Sequence, residues 1–109
     1  MVKLVVQFMH PHDPEQFDNI YNDFLALVER MPLITRRQAI TVLGSPFGEA
    51  RIHRVLEVYF EDFAQMNEAL RSPAGQEAGG ELRRLAPSDF DIFFADVYEE
   101  AGGSTKGTP

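Results

Sequence analysis

Cysteine is absent from the sequence, which excludes disulfides, a thiolate nucleophile and any zinc or iron–sulfur site built on thiolates. Histidine is scarce: positions 10, 12 and 53 hold the whole supply of imidazole. Positive charge is short too, with 10 Lys and Arg against 17 Asp and Glu and a formal net charge of −7. A surface of that sign repels a phosphate backbone and an anionic bilayer, so neither nucleic acid nor membrane is an expected partner. No apolar run approaches the roughly 18 residues a bilayer span requires. The opening VKLVVQFM is too short, and too soon followed by polar residues, for a secretory leader. A soluble, cytoplasmic protein is the expectation.

What is present suffices for one domain. The chain has 109 residues, 44% of them hydrophobic and nine of them Phe, enough for a genuine core. Residues 2–9 alternate, with Val2, Leu4, Val6 and Phe8 on one side and Lys3, Val5, Gln7 and Met9 on the other, the period of a strand. Asp13-Pro14-Glu15-Gln16 then reads as a helix start: an N-cap, a proline at the first helical position and Gln at the capping-box position. Phe17, Ile20, Tyr21, Phe24, Leu27, Val28 and Met31 recur at three- and four-residue steps until Pro32 ends the pattern.

Residues 34–43 and 52–60 are rich in β-branched and aromatic side chains, and GSPFGEAR between them gives a hairpin with a long tip. Asp62 and Gln65 repeat the capping signal before a second helix, and Ser72-Pro73 predicts a bent continuation of it, weakened by glycines. Residues 90–98 form a last strand, and 101–109 a polar, Gly-containing tail expected to be flexible. The domain is therefore placed at 1–100.

The order βαββαβ, with right-handed crossovers, predicts an α+β ferredoxin-like fold: a four-stranded antiparallel sheet with the helices on one face. The other face carries Val5, Met9, His53, Val55, Tyr59, Phe93, Ala95 and Val97. An apolar surface of that size is uncommon on a monomer, so a twofold copy of the same sheet is expected to cover it.

Four stretches, RMP after the first helix, VLGSPFGEARIHRVLEVYF across the hairpin, ALRSPAGQEAGGELRRLA and FFADVYEE, together resemble the EthD family of dimeric α+β barrel proteins. The resemblance implies a homodimer whose sheets face one another, and a pocket in each subunit between sheet and helices. It also implies binding of a small hydrophobic or aromatic metabolite, with cofactor-independent conversion as the associated chemistry. The competing class is a non-catalytic accessory protein. Many EthD-like sequences carry a histidine on helix one at the register occupied here by Phe24, so any activity that rests on that histidine is in question.

The histidines and aromatics supply the candidate residues. His10, His12 and Asp13 lie within four positions, but Pro11 breaks local regularity and Asp13 is committed to capping, so the stretch reads as a helix start and no metal is assigned. His53 is the one imidazole inside a strand and the first candidate for proton transfer, sharing a strand face by parity with Glu57 and Tyr59. Tyr21, Phe24 and Tyr59 are the candidate ligand contacts, although Phe24 reads first as a plain core residue of the helix-one stripe. Arg36 and Arg37 point to opposite faces of their strand; each blunts an exposed edge or binds a carboxylate.

Overall fold

The computed structural model describes residues 1–102. Its elements are β1 (Val2–Met9), α1 (Pro14–Glu29), β2 (Arg36–Thr41), β3 (Ile52–Phe60), α2 (Phe63–Arg71), α3 (Pro73–Leu82), a short 3-10 turn (Pro87–Asp89) and β4 (Phe90–Asp96). The sheet is four-stranded in the order β2-β3-β1-β4, and every pairing is antiparallel. This is the ferredoxin-like α+β arrangement that the element order predicts. Of the expected tail, 101–109, residues 103–109 lie outside the described residues.

Local chemistry fixes the ends of the helices. The Gln16 backbone N–H donates to Asp13 Oδ1 at 3.1 Å, the Gln65 N–H to Asp62 Oδ1 at 2.8 Å, and the Gly75 N–H to Ser72 Oγ at 3.1 Å. Each bond satisfies one of the donors that a helix start leaves unpaired. The expected bent continuation is instead a break: Ser72 is extended at φ −65°, ψ 161° and separates α2 from α3. Pro73 causes it, because its ring disfavours the helical region for the preceding residue. Strand β2 is shorter than the predicted 34–43, since Pro32 and the left-handed Leu33 (φ 69°) delay its start. Two further bonds, Thr35 N–H to Tyr59 O and Val42 N–H to His53 O, extend its pairing with β3 by a residue at each end.

All three helices cover one face. Leu4, Val6 and Phe8 of β1 and Leu56, Val58 and Phe60 of β3 pack against Phe17, Tyr21, Phe24, Leu27 and Val28 of α1, Met66 and Ala69 of α2, and Ala78 and Leu82 of α3. Phe8 is the hub: its ring lies edge-on to Phe17, Tyr21 and Phe24 at 5.6, 5.4 and 6.0 Å. Among the described residues no polar or charged residue is buried in this core, so burial of apolar area is its main source of stability. No helix there is long and apolar enough to cross a membrane.

The opposite face has no covering layer. Across it the register sets Arg36, Tyr59, Lys3 and Ala95 in one row, Gln38, Glu57, Val5 and Phe93 in the next, and Ile40, Val55, Gln7 and Asp91 in the third. The edge strand β4 is also bare on its helix side, where Ile92 and Phe94 stay about half exposed.

Candidate functional site

Histidine chemistry gathers where β1 ends and β3 begins. The β1–β3 register steps from Phe8↔Arg54 to Met9↔Ile52, which leaves His53 as the extra residue of a bulge. A bulge re-aims the side chain it carries. The His53 ring consequently packs 5.4 Å from Phe17 of α1 and 5.1 Å from His10. Strict alternation puts His53 beside Glu57 and Tyr59; the bulge breaks the alternation, and that three-residue cluster is not formed.

The electrostatics around His53 favour the neutral ring. Burial lowers its pKa, the Arg54 guanidinium and the His10 ring lower it further, and Asp18 opposes them in part. Arg54 Nη1 lies 3.4 Å from His53 Nδ1. A guanidinium only donates, so Nδ1 is the acceptor and the proton sits on Nε2. His10 gives its own Nε2–H to the Ala50 carbonyl at 2.8 Å, and Asp13 is taken up by its capping bond. Tyr21 stacks on Phe17 at 5.3 Å with the Arg54 guanidinium 6.0 Å from its ring. Burial raises the pKa of its phenol and Arg54 only partly offsets this, so at neutral pH Tyr21 donates a hydrogen bond and does not act as a base.

Of the four candidates, His53 and Tyr21 are brought together through Phe17 and Arg54. Phe24, 2% exposed, is packed into the core against Phe8. Tyr59 stands on the far face of the sheet, where its O–H donates to Glu57 Oε1 at 2.9 Å and Lys3 Nζ meets the same oxygen at 3.1 Å. Arg36 lies over the Tyr59 ring at 4.3 Å. Burial pushes the Glu57 carboxyl up, but the bonds from Lys3 and Tyr59 and the nearby Arg36 outweigh it and hold the group low.

His10 lines two open depressions, about 460 Å³ with Met9, Glu49, Ala50 and Arg51, and about 140 Å³ with Val42, Leu43 and Ile52 among others. A further cavity lies between α1 and β2. This open cleft of about 440 Å³ is lined by Asn22, Leu25, Ala26, Glu29, Arg37, Ala39 and Leu56. In the β2–β3 register Ala39 faces Leu56 and Thr41 faces Arg54, so Arg54, with His53 beside it, lies two residues along the strand from the cleft floor. Sequence reasoning picked out Arg37 but missed the rest, because small residues such as Ala26 and Ala39 leave no periodic signal. Another open depression, about 340 Å³, lies between α2 and β4 and is lined by Phe63, Met66 and Phe94 among others.

No family model matches the chain. A relative of known sequence is an uncharacterized 11.0 kDa protein from the thcB-thcC intergenic region of Rhodococcus erythropolis, 27% identical over 97 residues that span 88% of this chain and 94% of that protein. Among solved structures, an EthD family protein from Bacillus halodurans superposes with a TM-score of 0.83 at 24% identity, covering 90% of this chain and 99% of its own. The fold is that of an EthD-family protein. The same fold is shared with the cofactor-independent oxygenase SnoaB of Streptomyces nogalater (TM-score 0.66, 17% identity, 94% and 97% covered). A dimeric ferredoxin-like protein from Jannaschia also matches (TM-score 0.70, 16% identity, 89% and 100% covered). The EthD-type fold thus appears here with a phenylalanine packed in the core at position 24 and its imidazoles at the bulged end of the sheet.

Proposed function

We propose that residues 1–100 form an EthD-family domain that acts in the cytoplasm as a homodimer and binds a small hydrophobic or aromatic metabolite. The ligand lies in the cleft between α1 and β2; Tyr21 and His53 do not line it but stand beyond its end, past Arg54, which is two residues along β3 from Leu56. The observation that carries this reading is the cleft itself: an apolar floor of Leu25, Ala26, Ala39 and Leu56 beside a few polar groups, the usual make-up of a small-molecule site. His53, neutral and donating from Nε2, is the group available for a proton transfer that needs no cofactor. Phe24 belongs to the wall behind the site and Tyr59 to the dimer face. The cofactor-independent oxygenase SnoaB has the same fold, which supports this class of chemistry without selecting it.

Dimerisation is supported by the uncovered sheet face. Val55, Phe93 and Ala95 lie there beside the Lys3–Glu57–Tyr59 cluster and around the already buried Val5, and a twofold copy buries the apolar members while the charges stay paired. A second reading, a non-catalytic accessory protein, is favoured by one specific observation: the Phe24 ring occupies core space and offers no proton-transferring group. Titration with 2-phenylethanol, followed by amide NMR, tests the binding reading. Shifts confined to Asn22, Leu25, Ala26 and Ala39 support it; no shift at millimolar probe contradicts it.

A further inference from the structure

Arg36 and Arg37 are neighbours in sequence with opposite surroundings. Arg36 covers Tyr59 on the open sheet face. Arg37 pairs with Val58 in the register, so it points to the helix side, where it lines the α1–β2 cleft. Lys3 and Arg84 are the cations that form ion pairs among the described residues, and Arg37 is not one of them. Glu29, on the α1 wall of the same cleft, is likewise outside those pairs. The cleft therefore offers a cation on one wall, an anion on the other and the Asn22 amide, all around an apolar floor.

We propose that this cleft takes a small apolar carboxylic acid that also carries a hydroxyl or ammonium group. Arg37 holds the carboxylate, Glu29 accepts from the second group, and the hydrocarbon part lies on Leu25, Ala26, Ala39 and Leu56. The proposal names a ligand class for the binding reading above and rests on it. Three features of the chain support it. A guanidinium presents two parallel N–H groups that match a carboxylate, which makes Arg37 a more selective anchor than a point charge. The alanines at 26 and 39 keep the walls apart, where larger side chains would fill the space. The net charge of −7 repels anions at long range, so the selectivity for an acid has to come from a local cation.

The test uses two probes on the full-length protein: 3-phenyllactate, which has the acid, the hydroxyl and the ring, and 2-phenylethanol, which lacks the acid. Affinities come from NMR titration of the cleft amides. The expected result is that Arg37→Gln weakens 3-phenyllactate binding by about tenfold or more, the scale of a lost charge-assisted hydrogen bond, and weakens 2-phenylethanol binding several-fold less. Ala39→Leu, at an exposed edge position where added bulk is tolerated by the fold, is expected to abolish binding of both. If Arg37→Gln leaves 3-phenyllactate affinity unchanged while 2-phenylethanol still binds, the acid-anchor proposal is overturned and the binding reading stands. If neither probe binds the unmodified protein, both fail together.

Discussion

Phe24→His puts on helix one the histidine that the EthD resemblance implies at this register, and its expected effect is loss of stability without gain of function. Phe24 is 2% exposed, its ring is edge-on to Phe8 at 6.0 Å, and it belongs to a cluster of apolar side chains. An imidazole there gives up the edge-to-face contact, worth about 1 kcal/mol. It also buries one donor and one acceptor without partners, at roughly 1–3 kcal/mol. Together these destabilise by about 3 kcal/mol at pH 7, or roughly 15 °C in Tm for a domain of this size. Acid makes it worse. In the unfolded chain the imidazole takes a proton near pH 6.5, whereas in the apolar core it stays neutral and its pKa falls. Above that range neither state is charged and the deficit is constant; as pH falls through it, only the unfolded state gains from protonation and the deficit grows. Urea denaturation followed by circular dichroism at pH 7.5 and 5.5, at one protein concentration, measures both effects. A variant within about 1 kcal/mol of the parent and with the same pH dependence would refute the packing argument.

Three further outcomes follow from particular contacts. His53 has its pKa lowered by burial, Arg54 and His10, so as pH drops through roughly 6.5 the unfolded state binds a proton that the folded state resists, and stability falls. His53→Gln removes that term, so its stability declines less than the parent's between pH 7 and 5; equal declines in urea melts contradict the neutral-ring assignment. Val55→Asp places a carboxylate on the open face between Ile40 and Gln7 and is expected to convert the proposed dimer to monomer in sedimentation velocity; an unchanged dimer shows that another surface pairs. Gly75→Ala drives a Cβ into the carbonyl oxygens of Ala69 and Leu70, backbone atoms that cannot move aside, and a loss of about 2 kcal/mol or more is expected in thermal melts; a neutral result means that the α2–α3 junction is looser than described.

Much of the fold could be read from local signals, because those signals coincide with what decides the structure. Asp13, Asp62 and Ser72 cap helices in the structure as their neighbours suggested, since a cap needs only the residues three positions on. The buried stripe of α1 matches its sequence periodicity residue for residue from Phe17 to Val28. What escaped depends on pairing between distant segments. IHRVLEVYF contains no glycine or proline to announce a bulge; the bulge arises because β3 has one more residue between its paired ends than β1, and that moved His53 away from Glu57 and Tyr59. The α1–β2 cleft was invisible for the same reason: it is the gap between two walls, and neither Ala26 nor Ala39 carries a signal alone. Strand parity placed Arg36 and Arg37 on opposite faces, but which of them turns to the helices is shown only by the β2–β3 register.

Native mass spectrometry of freshly purified protein, set against its denatured mass, tests the central claim most directly, because one spectrum reports both subunit number and any small molecule retained. The expected result is a dimer with an organic adduct that disappears on denaturation. A bare monomer would contradict both the covered sheet face and the occupied cleft.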